Sequence, residues 1–420
     1  MSKQGEFPLL KLSTKLLGII RFWNDSPGQR IPSFGLLVTA IYPVIWLIPS
    51  WLFLVSSQDN ITRFMKAANE LMVFSLIFCK LCFYAIHFRR WEKLFYDLQR
   101  SFSSVLKNPS LEIQTILGHV TKSTHKLTKY YCSTVSFNCA AYGLFPMLFI
   151  VVKYAVTGSY DVPLSTPIEA NYFIPGLRTN FWVWLPVNLT LSAMLELHGF
   201  ALVFVETFTW NLVYATSCMF RILQILANEL SHQCRNEKEW NGKLKTFIAL
   251  HDSVLRSAET LEEILSLQML LLYISTILAL CLGMVVLSLA VNEVYVLLTT
   301  MAVFGYCIFQ TFSFSYLGTE LIEQSEAVAD AIFHSKWYTQ KLNRQKDMCF
   351  LMMRAKRPVK LTAAKLFVVT RDSFTQVNFD FVLLKECVYK PTIVLVFLQV
   401  IKQAYTIFAL MSQVLDDTMG

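Results

Sequence analysis

Charged residues are scarce in this chain. Asp, Glu, Lys and Arg make up 16% of its 420 residues, whereas 55% of the residues are hydrophobic. Soluble globular domains carry about 25% charged residues, so this composition excludes an ordinary soluble protein and indicates a membrane protein with several spans. The formal net charge is +8, but the basic residues lie in loops that flank apolar runs, as membrane orientation requires. We therefore expect no nucleic-acid partner.

Catalytic motifs are absent as well. The seven His residues are scattered without an H-x-x-x-H pair, no G-x-S-x-G occurs, and the 14 Gly residues are too dispersed for a phosphate loop. Most of the ten Cys residues fall in or beside apolar runs, where a small buried residue is expected. Cys79 and Cys82 spell C-x-x-C, but the Phe and Leu residues around them argue against a redox or zinc role. We expect no enzyme activity, no cofactor and no metal site.

Seven apolar runs are close to, or longer than, the roughly 20 residues that a membrane-spanning helix requires. These runs are residues 34–55, 71–88, 131–152, 181–205, 264–291, 294–318 and 379–414. The predicted fold class is therefore all-α, with seven transmembrane helices. Residues 1–33 lack the clean apolar core of a cleavable signal peptide, so we expect them to form a cytoplasmic N-terminal segment.

The loops between these runs are alternately rich and poor in Lys and Arg. Basic segments are residues 1–33, 87–129, 221–263 and 320–371, and poor ones are 56–70, 153–180 and 292–293. The positive-inside rule then places the N-terminus in the cytoplasm and the C-terminus outside. Asn60-Ile61-Thr62 is an N-glycosylation acceptor in a loop that this topology puts outside, so we predict a glycan on Asn60.

The last apolar run carries a polar stripe. Gln403, Thr406, Leu410 and Gln413 recur at intervals of three, four and three residues, which places them on one face of a helix. A polar face inside a membrane needs water or protein opposite it, so the stripe faces either the interior of a bundle or an aqueous pore between several copies of the chain. We interpret it as pore-lining.

Ionisable and aromatic side chains inside the runs indicate contacts between helices. For Lys80, Glu196, His198 and Glu206 we expect interhelical hydrogen bonds or an orientation toward the surface, because they are too few for a proton relay. Aromatic and small residues of the second, third, fourth and sixth runs suggest an apolar ligand cavity. A secondary transporter of a small apolar or amphipathic solute and a seven-helix signalling receptor remain alternatives at this stage.

A family resemblance lies in residues 318–370. The matching segments are the run GTELIEQSEAVADAI from Gly318, the pair Trp337 and Tyr338, the run MRAKRP ending at Pro358, and LTAAKLF from Leu361. In combination they resemble the C-terminal signature of insect odorant receptors. Length, span number and an intracellular N-terminus extend the resemblance over the chain.

This resemblance implies an odorant-binding subunit of a ligand-gated, non-selective cation channel in the plasma membrane of olfactory sensory neurons. Family members form tetramers through a cytoplasmic anchor, here residues 207–263 and 320–372, and odorant-binding members assemble with a shared co-receptor subunit. The chain lacks the extra length of that co-receptor in the second cytoplasmic segment, so it is similar to a tuning subunit. D-R-Y and N-P-x-x-Y motifs are missing, which disfavours a G-protein-coupled receptor.

The resemblance also implies site residues. The gate falls on Leu410 and Val414, with Gln413 near the outer mouth of the pore, because an apolar ring can close a pore by dewetting. Candidate ligand-binding residues are Phe74, Phe78, Ser136, Cys139, Tyr142, Gly143, Val303 and Tyr306. Candidate residues of the anchor and subunit interface are Glu326, Trp337, Tyr338, Arg354, Pro358 and Leu361.

One stretch departs from the family pattern. Residues 377–399 separate the anchor from the segment that matches the pore helix, and they contain Pro391, which disfavours a continuous helix. The stretch begins with Val and ends with Phe-Leu-Gln, which match the borders of an intron when translated. We hypothesise that it is translated intron sequence. The predicted parts of the chain are residues 1–33, spans one to four (34–206), a cytoplasmic extension (207–263), spans five and six (264–318), the anchor (319–376), the insert (377–399) and the pore-lining end (400–420).

Overall fold

The computed structural model describes residues 8–23, 33–57, 61–105, 109–158, 164, 166–232, 236–289 and 294–376. These residues form an almost entirely helical protein, which confirms the all-α prediction. The α-helices are α1 (Pro8–Ile19), α2 (Ser33–Tyr42), α3 (Ile48–Ser56), α4 (Ile61–Ile86), α5 (Phe88–Val105), α6 (Leu111–Thr157), α7 (Phe181–His232), α8 (Glu237–Leu289), α9 (Val294–His334) and α10 (Leu342–Ala355).

Four stretches of the described helices are long and apolar enough to cross a membrane: Phe34–Ser56, Arg63–Ile86, Phe181–Leu230 and Glu237–Leu289. They contain the first and fourth predicted spans and overlap all but the last two residues of the second and fifth, whereas α6 and α9 cover the third and sixth. The predicted seventh span lies outside the described residues. Helices α6 to α9 have 41 to 53 residues, or about 60–80 Å at 1.5 Å per residue, so they extend well beyond a bilayer core of roughly 30 Å.

The first span is not a regular helix. A π-helical turn, Pro43–Leu47, separates α2 from α3, and Pro49 follows in the first turn of α3. Proline lacks a backbone N–H and interrupts the hydrogen-bond ladder of a helix, which is the physical reason for such a turn. The interruption turns Trp46 into the protein, where its side chain is fully buried.

Helix α7 is the centre of the molecule. Every residue from 201 to 220 is buried, and the helix packs on α1, α6, α8 and α9. A helix that is buried all round must be surrounded by other helices, which explains why its central part is apolar on every face. The few polar groups on it, Glu206 above all, are therefore held inside the protein.

A short antiparallel hairpin follows α10, which the all-α prediction did not include. Its strands are β1 (Thr362–Ala363) and β2 (Phe367–Val368). They are joined by Ala364, Lys365 and Leu366, of which the first two have positive φ angles of 48° and 60°. The hairpin is tied to neighbouring helices by the backbone of Ala364, which donates to the carbonyl of Ser266 at 2.9 Å. It covers the end of the sixth span at Gly318, where an added Cβ would lie 2.2 Å from the carbonyl oxygen of Val369.

Candidate ligand cavity

A cavity of about 100 Å³ lies between α2, α4, α6, α7 and α9. Most of the side chains around it are apolar or aromatic. They are Tyr42, Glu70, Val73, Phe74, Ile77, Val135, Asn138, Cys139, Tyr142, Leu195, His198, Gly199, Leu202, Val303 and Tyr306. A concave, mainly apolar space with a few polar groups is the usual form of a small-molecule site.

Five of the eight candidate ligand-binding residues line this cavity: Phe74, Cys139, Tyr142, Val303 and Tyr306. They come from the second, third and sixth predicted spans. Their convergence is the geometric basis for treating this cavity as the ligand site. Their contact with a ligand stays a prediction.

The other three candidate residues lie beside the cavity rather than on its wall. Phe78 stacks on Tyr42 with 5.8 Å between ring centroids. Ser136 donates a hydrogen bond to Glu196 at 3.3 Å. Gly143 packs so closely on Ser192 that an added Cβ would lie 2.6 Å from the Ser192 hydroxyl oxygen. These residues can shape the wall but do not form it in this structure.

The first span also contributes to the cavity, which the sequence did not predict. Tyr42 is 1% exposed and contacts the His198 ring edge-on, at 4.9 Å between centroids. His198 in turn accepts a hydrogen bond from the Trp46 indole at 3.3 Å and lies 3.3 Å from the carbonyl of Val38. Tyr42 and Trp46 are four residues apart, a helical interval that could have indicated a shared inward face.

A buried ion pair lies next to the cavity. Lys80 on α4 is 2.9 Å from Glu206 on α7, and both side chains are 1% exposed. The other carboxylate oxygen of Glu206 accepts a hydrogen bond from Tyr131. Gln310 on α9 accepts from Lys80, donates to Glu206, and also donates to the hydroxyl of Tyr306 at 2.7 Å. Because Tyr306 lines the cavity, this network joins the cavity wall to four helices.

A second charged side chain, Glu70, lines the cavity nearer the beginning of α4. Glu70 is 3% exposed, accepts a hydrogen bond from the backbone N–H of Glu169 at 2.9 Å and pairs with Lys66 at 3.7 Å. Glu169 also lies 3.7 Å from Arg178. Glu169 belongs to the loop before α7 and also lies 3.3 Å from Lys66, so these contacts hold the loop against α4.

The remaining candidate residues are placed differently. Among the anchor candidates, Glu326, Tyr338 and Arg354 are exposed, Trp337 and Pro358 are half-buried, and Leu361 is fully buried within the chain. Asn60 and the pore residues Gln403, Thr406, Leu410, Gln413 and Val414 lie outside the described residues. Within the described part of the chain, His, Cys, Asp and Glu form no group of three that could hold a metal ion.

Comparison with protein families gives a match to the 7tm Odorant receptor model over residues 60–378. The chain belongs to the odorant receptor family. Membership confirms the resemblance found in residues 318–370, and it supports the function of an odorant-binding, ligand-gated channel subunit in a membrane. The family is one of odorant receptors and not of enzymes.

Individual odorant receptors are similar to this one in sequence and fold. Odorant receptor Or2 of Anopheles gambiae is 22% identical over 372 residues, which cover 84% of this chain and 90% of that receptor. Odorant receptor 49a of Drosophila melanogaster is 34% identical over 74 residues, 18% of this chain and 19% of that receptor. The insect olfactory receptor OR5 from Machilis hrabei, solved in complex with eugenol, superimposes with a TM-score of 0.69 at 16% identity, over 93% of this chain and 97% of that one.

Proposed function

We propose that this odorant receptor opens a non-selective cation channel when a small volatile molecule binds in the cavity between α2, α4, α6, α7 and α9. The observation that carries the proposal is the convergence of five candidate residues on one mainly apolar cavity. A ligand there contacts several helices at once. It shifts the channel toward the open state only to the extent that it binds that state more tightly. The complex of OR5 with eugenol supports a small organic ligand.

The pore is proposed to lie along the last helix. Gln403, Thr406 and Gln413 would line it, and Leu410 and Val414 would form the apolar gate. These positions rest on the helical spacing and on family membership. Exchanging Leu410 for Ala should increase leak current, and exchanging Gln413 for Lys should reduce cation current. Unchanged currents in both variants would contradict the pore assignment.

The channel is proposed to be a heterotetramer with the odorant co-receptor, joined through the cytoplasmic anchor. Helices α7 and α9 are fastened together in this region by Arg221 and Glu320 at 3.1 Å. Beyond them, Tyr338, Phe350 and Met353 expose 64%, 70% and 68% of their surface. Exposed aromatic and Met side chains are enriched at subunit interfaces, which supports a partner at this face.

The proposed location is the plasma membrane of olfactory sensory neurons, with the N-terminus in the cytoplasm. The alternation of basic loops and the acceptor Asn60 support this orientation. A glycan on Asn60 should give a mobility shift that is removed by a glycosidase and is absent in Asn60→Gln. If the receptor with Asn60 intact shows no mobility shift, the prediction of a glycan on Asn60 is wrong.

Odorant-evoked current tests the function as a whole. The receptor should be expressed in cells that lack functional G proteins, with and without the co-receptor, and exposed to a broad panel of volatiles. A channel subunit gives current with unitary conductance steps when the co-receptor is present. A seven-helix signalling receptor gives no current in these cells, and a secondary transporter gives saturable uptake without unitary steps.

A further inference from the structure

Two polar atoms on the cavity wall have no hydrogen-bond partner among the described residues. They are the hydroxyl of Tyr42 and the carboxylate oxygen Oε1 of Glu70. Tyr42 is 1% exposed and Glu70 is 3% exposed, so bulk water does not reach them in this structure. Leaving a buried polar group unpaired destabilises a protein, so such groups are rare unless a ligand or an enclosed water molecule binds to them.

Other polar groups on the wall of the same cavity do have hydrogen-bond partners within the protein. The hydroxyl of Tyr142 donates to the backbone carbonyl of Thr299 at 3.0 Å, and that of Tyr306 accepts from Gln310 at 2.7 Å. His198 is engaged by Trp46. Tyr42 therefore differs from its neighbours on the wall, because its buried hydroxyl has no hydrogen-bond partner among the described residues, whereas Oε1 of Glu70 lacks a hydrogen bond but makes a 3.7 Å ion pair with Lys66.

The hydrogen-bonding chemistry of the two atoms determines which ligand groups can bind to them. The carboxylate oxygen of Glu70 only accepts hydrogen bonds when ionised, whereas the phenol of Tyr42 donates one and also accepts. A hydroxyl group can donate to the first and accept from the second. A carboxylate ligand would be repelled by Glu70, and an alkane would leave both atoms unpaired.

Building on the proposed function, we propose that this receptor selects small alcohols, whose hydroxyl group binds to Tyr42 and Glu70 while the hydrocarbon part contacts the apolar wall. The cavity volume of about 100 Å³ is smaller than the roughly 150 Å³ that accepts a benzene ring, which favours a short carbon chain. In this proposal the hydroxyl of Tyr42 makes a residue of the first span a determinant of ligand specificity. The other spans contribute mainly apolar contacts to the ligand.

Three probes of equal size separate the hydroxyl group from the rest of the ligand. Butan-1-ol donates and accepts hydrogen bonds, its isomer methyl propyl ether only accepts, and pentane does neither. Currents should be recorded from the full receptor with its co-receptor, with surface expression measured for each variant. The expected order of potency is butan-1-ol, then methyl propyl ether, then pentane.

The decisive variant is Tyr42→Phe, because it removes a hydroxyl that no described residue uses and so preserves the fold. We expect it to lower the potency of butan-1-ol about fivefold and to leave that of pentane unchanged, because one hydrogen bond is worth about 1 kcal/mol and about 1.4 kcal/mol corresponds to a tenfold change. Tyr84→Phe is the matched control, since Tyr84 does not line the cavity and its buried hydroxyl already donates to the carbonyl of Phe22 at 3.2 Å. It should not alter the ratio between the alcohol and pentane. Glu70→Gln should reduce the difference in potency between butan-1-ol and methyl propyl ether.

The outcomes separate this inference from the proposed function. Currents that respond to the probes with the same alcohol-to-pentane ratio in Tyr42→Phe and in the unmodified receptor would overturn the inference, and would indicate that enclosed water satisfies Tyr42. The proposed function would then still stand. Absence of current with these probes and with the broad volatile panel would overturn the proposed function itself. If Glu70→Gln does not reach the surface, Tyr42→Phe alone decides.

Discussion

Lys80 and Glu206, 126 residues apart in the chain, form an ion pair of 2.9 Å with both side chains 1% exposed. Burying a charged side chain inside a membrane protein costs free energy unless ion pairing and hydrogen bonds compensate for the lost water. Tyr131 and Gln310 supply the additional hydrogen bonds. The network is therefore a fixed link between α4, α6, α7 and α9, and it reaches the cavity through Tyr306.

Removing one charge of this pair should destabilise the receptor severely. Lys80→Met leaves Glu206 as an uncompensated buried charge, for which we expect a loss of about 3–5 kcal/mol. Thermal unfolding in detergent and surface expression measure it. The exposed pair Arg90 and Glu263, 3.9 Å apart, is the matched control, and Arg90→Met should change little. A Lys80→Met receptor as stable as the unmodified one would contradict the role of the network.

Two glycines of α9 should respond oppositely to the same change. At Gly318 an added Cβ would lie 2.2 Å from the backbone oxygen of Val369, so Gly318→Ala should displace the hairpin and cost about 1–3 kcal/mol. At Gly305 nothing lies within 4 Å, and Gly305→Ala should be neutral or stabilising by about 0.5–1 kcal/mol. Unfolding temperatures of the two variants test this. Equal effects at both sites would refute the proposed close packing at Gly318.

His251 should make stability fall as the pH is lowered. It lies in α8, before residue 264 where the fifth predicted span begins. Its pKa is lowered to about 4, mainly because the side chain is buried and to a smaller extent because Arg354 is positively charged. The unfolded chain binds a proton near pH 6.5, but the folded chain resists protonation down to about pH 4. Stability is therefore full above pH 6.5 and declines between these two values, by about 3 kcal/mol at most.

The His251→Gln variant checks this pH dependence, because it removes the titrating group and keeps a polar side chain. Unfolding temperature measured against pH should decline less steeply between pH 6.5 and 4 in the variant. If both profiles have the same slope, His251 is not the group responsible.

Filling the cavity should abolish the odorant response without removing the channel. Val303 is 8% exposed and lines the cavity, so Val303→Phe occupies space that a ligand needs. We expect at least a tenfold loss of odorant potency, at a stability cost of about 1–3 kcal/mol from overpacking. Val55 is 56% exposed on the first span, and Val55→Phe should keep the response. An unchanged response in Val303→Phe at equal surface expression would move the ligand site elsewhere.

Residues 377–399 should be absent from the spliced message if they are translated intron sequence. Sequencing of the transcript against the genome decides this directly. Their removal would join Gln376 to Val400 and bring the predicted anchor next to the predicted pore-lining segment. A mature message that contains the stretch would defeat the hypothesis.

Local sequence determined the class of this protein. The apolar runs and the motifs from Gly318 to Phe367 depend on residues close together in the chain, and family membership confirms the membrane protein class and the family that they indicated. The orientation indicated by the alternation of basic loops stays a prediction. The structure also shows that spans two to six are helical. Even here the first span is broken at Pro43, a position whose proline could have predicted the interruption.

Only the tertiary structure decided which side chains share the cavity and which charges pair. Tyr42 meets His198, and Lys80 meets Glu206, because of the rotation and depth of each helix in the bundle. An apolar helix gives no periodic signal for that rotation, since every face is compatible with lipid or with protein. The sequence by itself therefore determined a membrane-embedded odorant receptor, while the packing of its helices determined that Tyr42 and Glu70 line the same cavity.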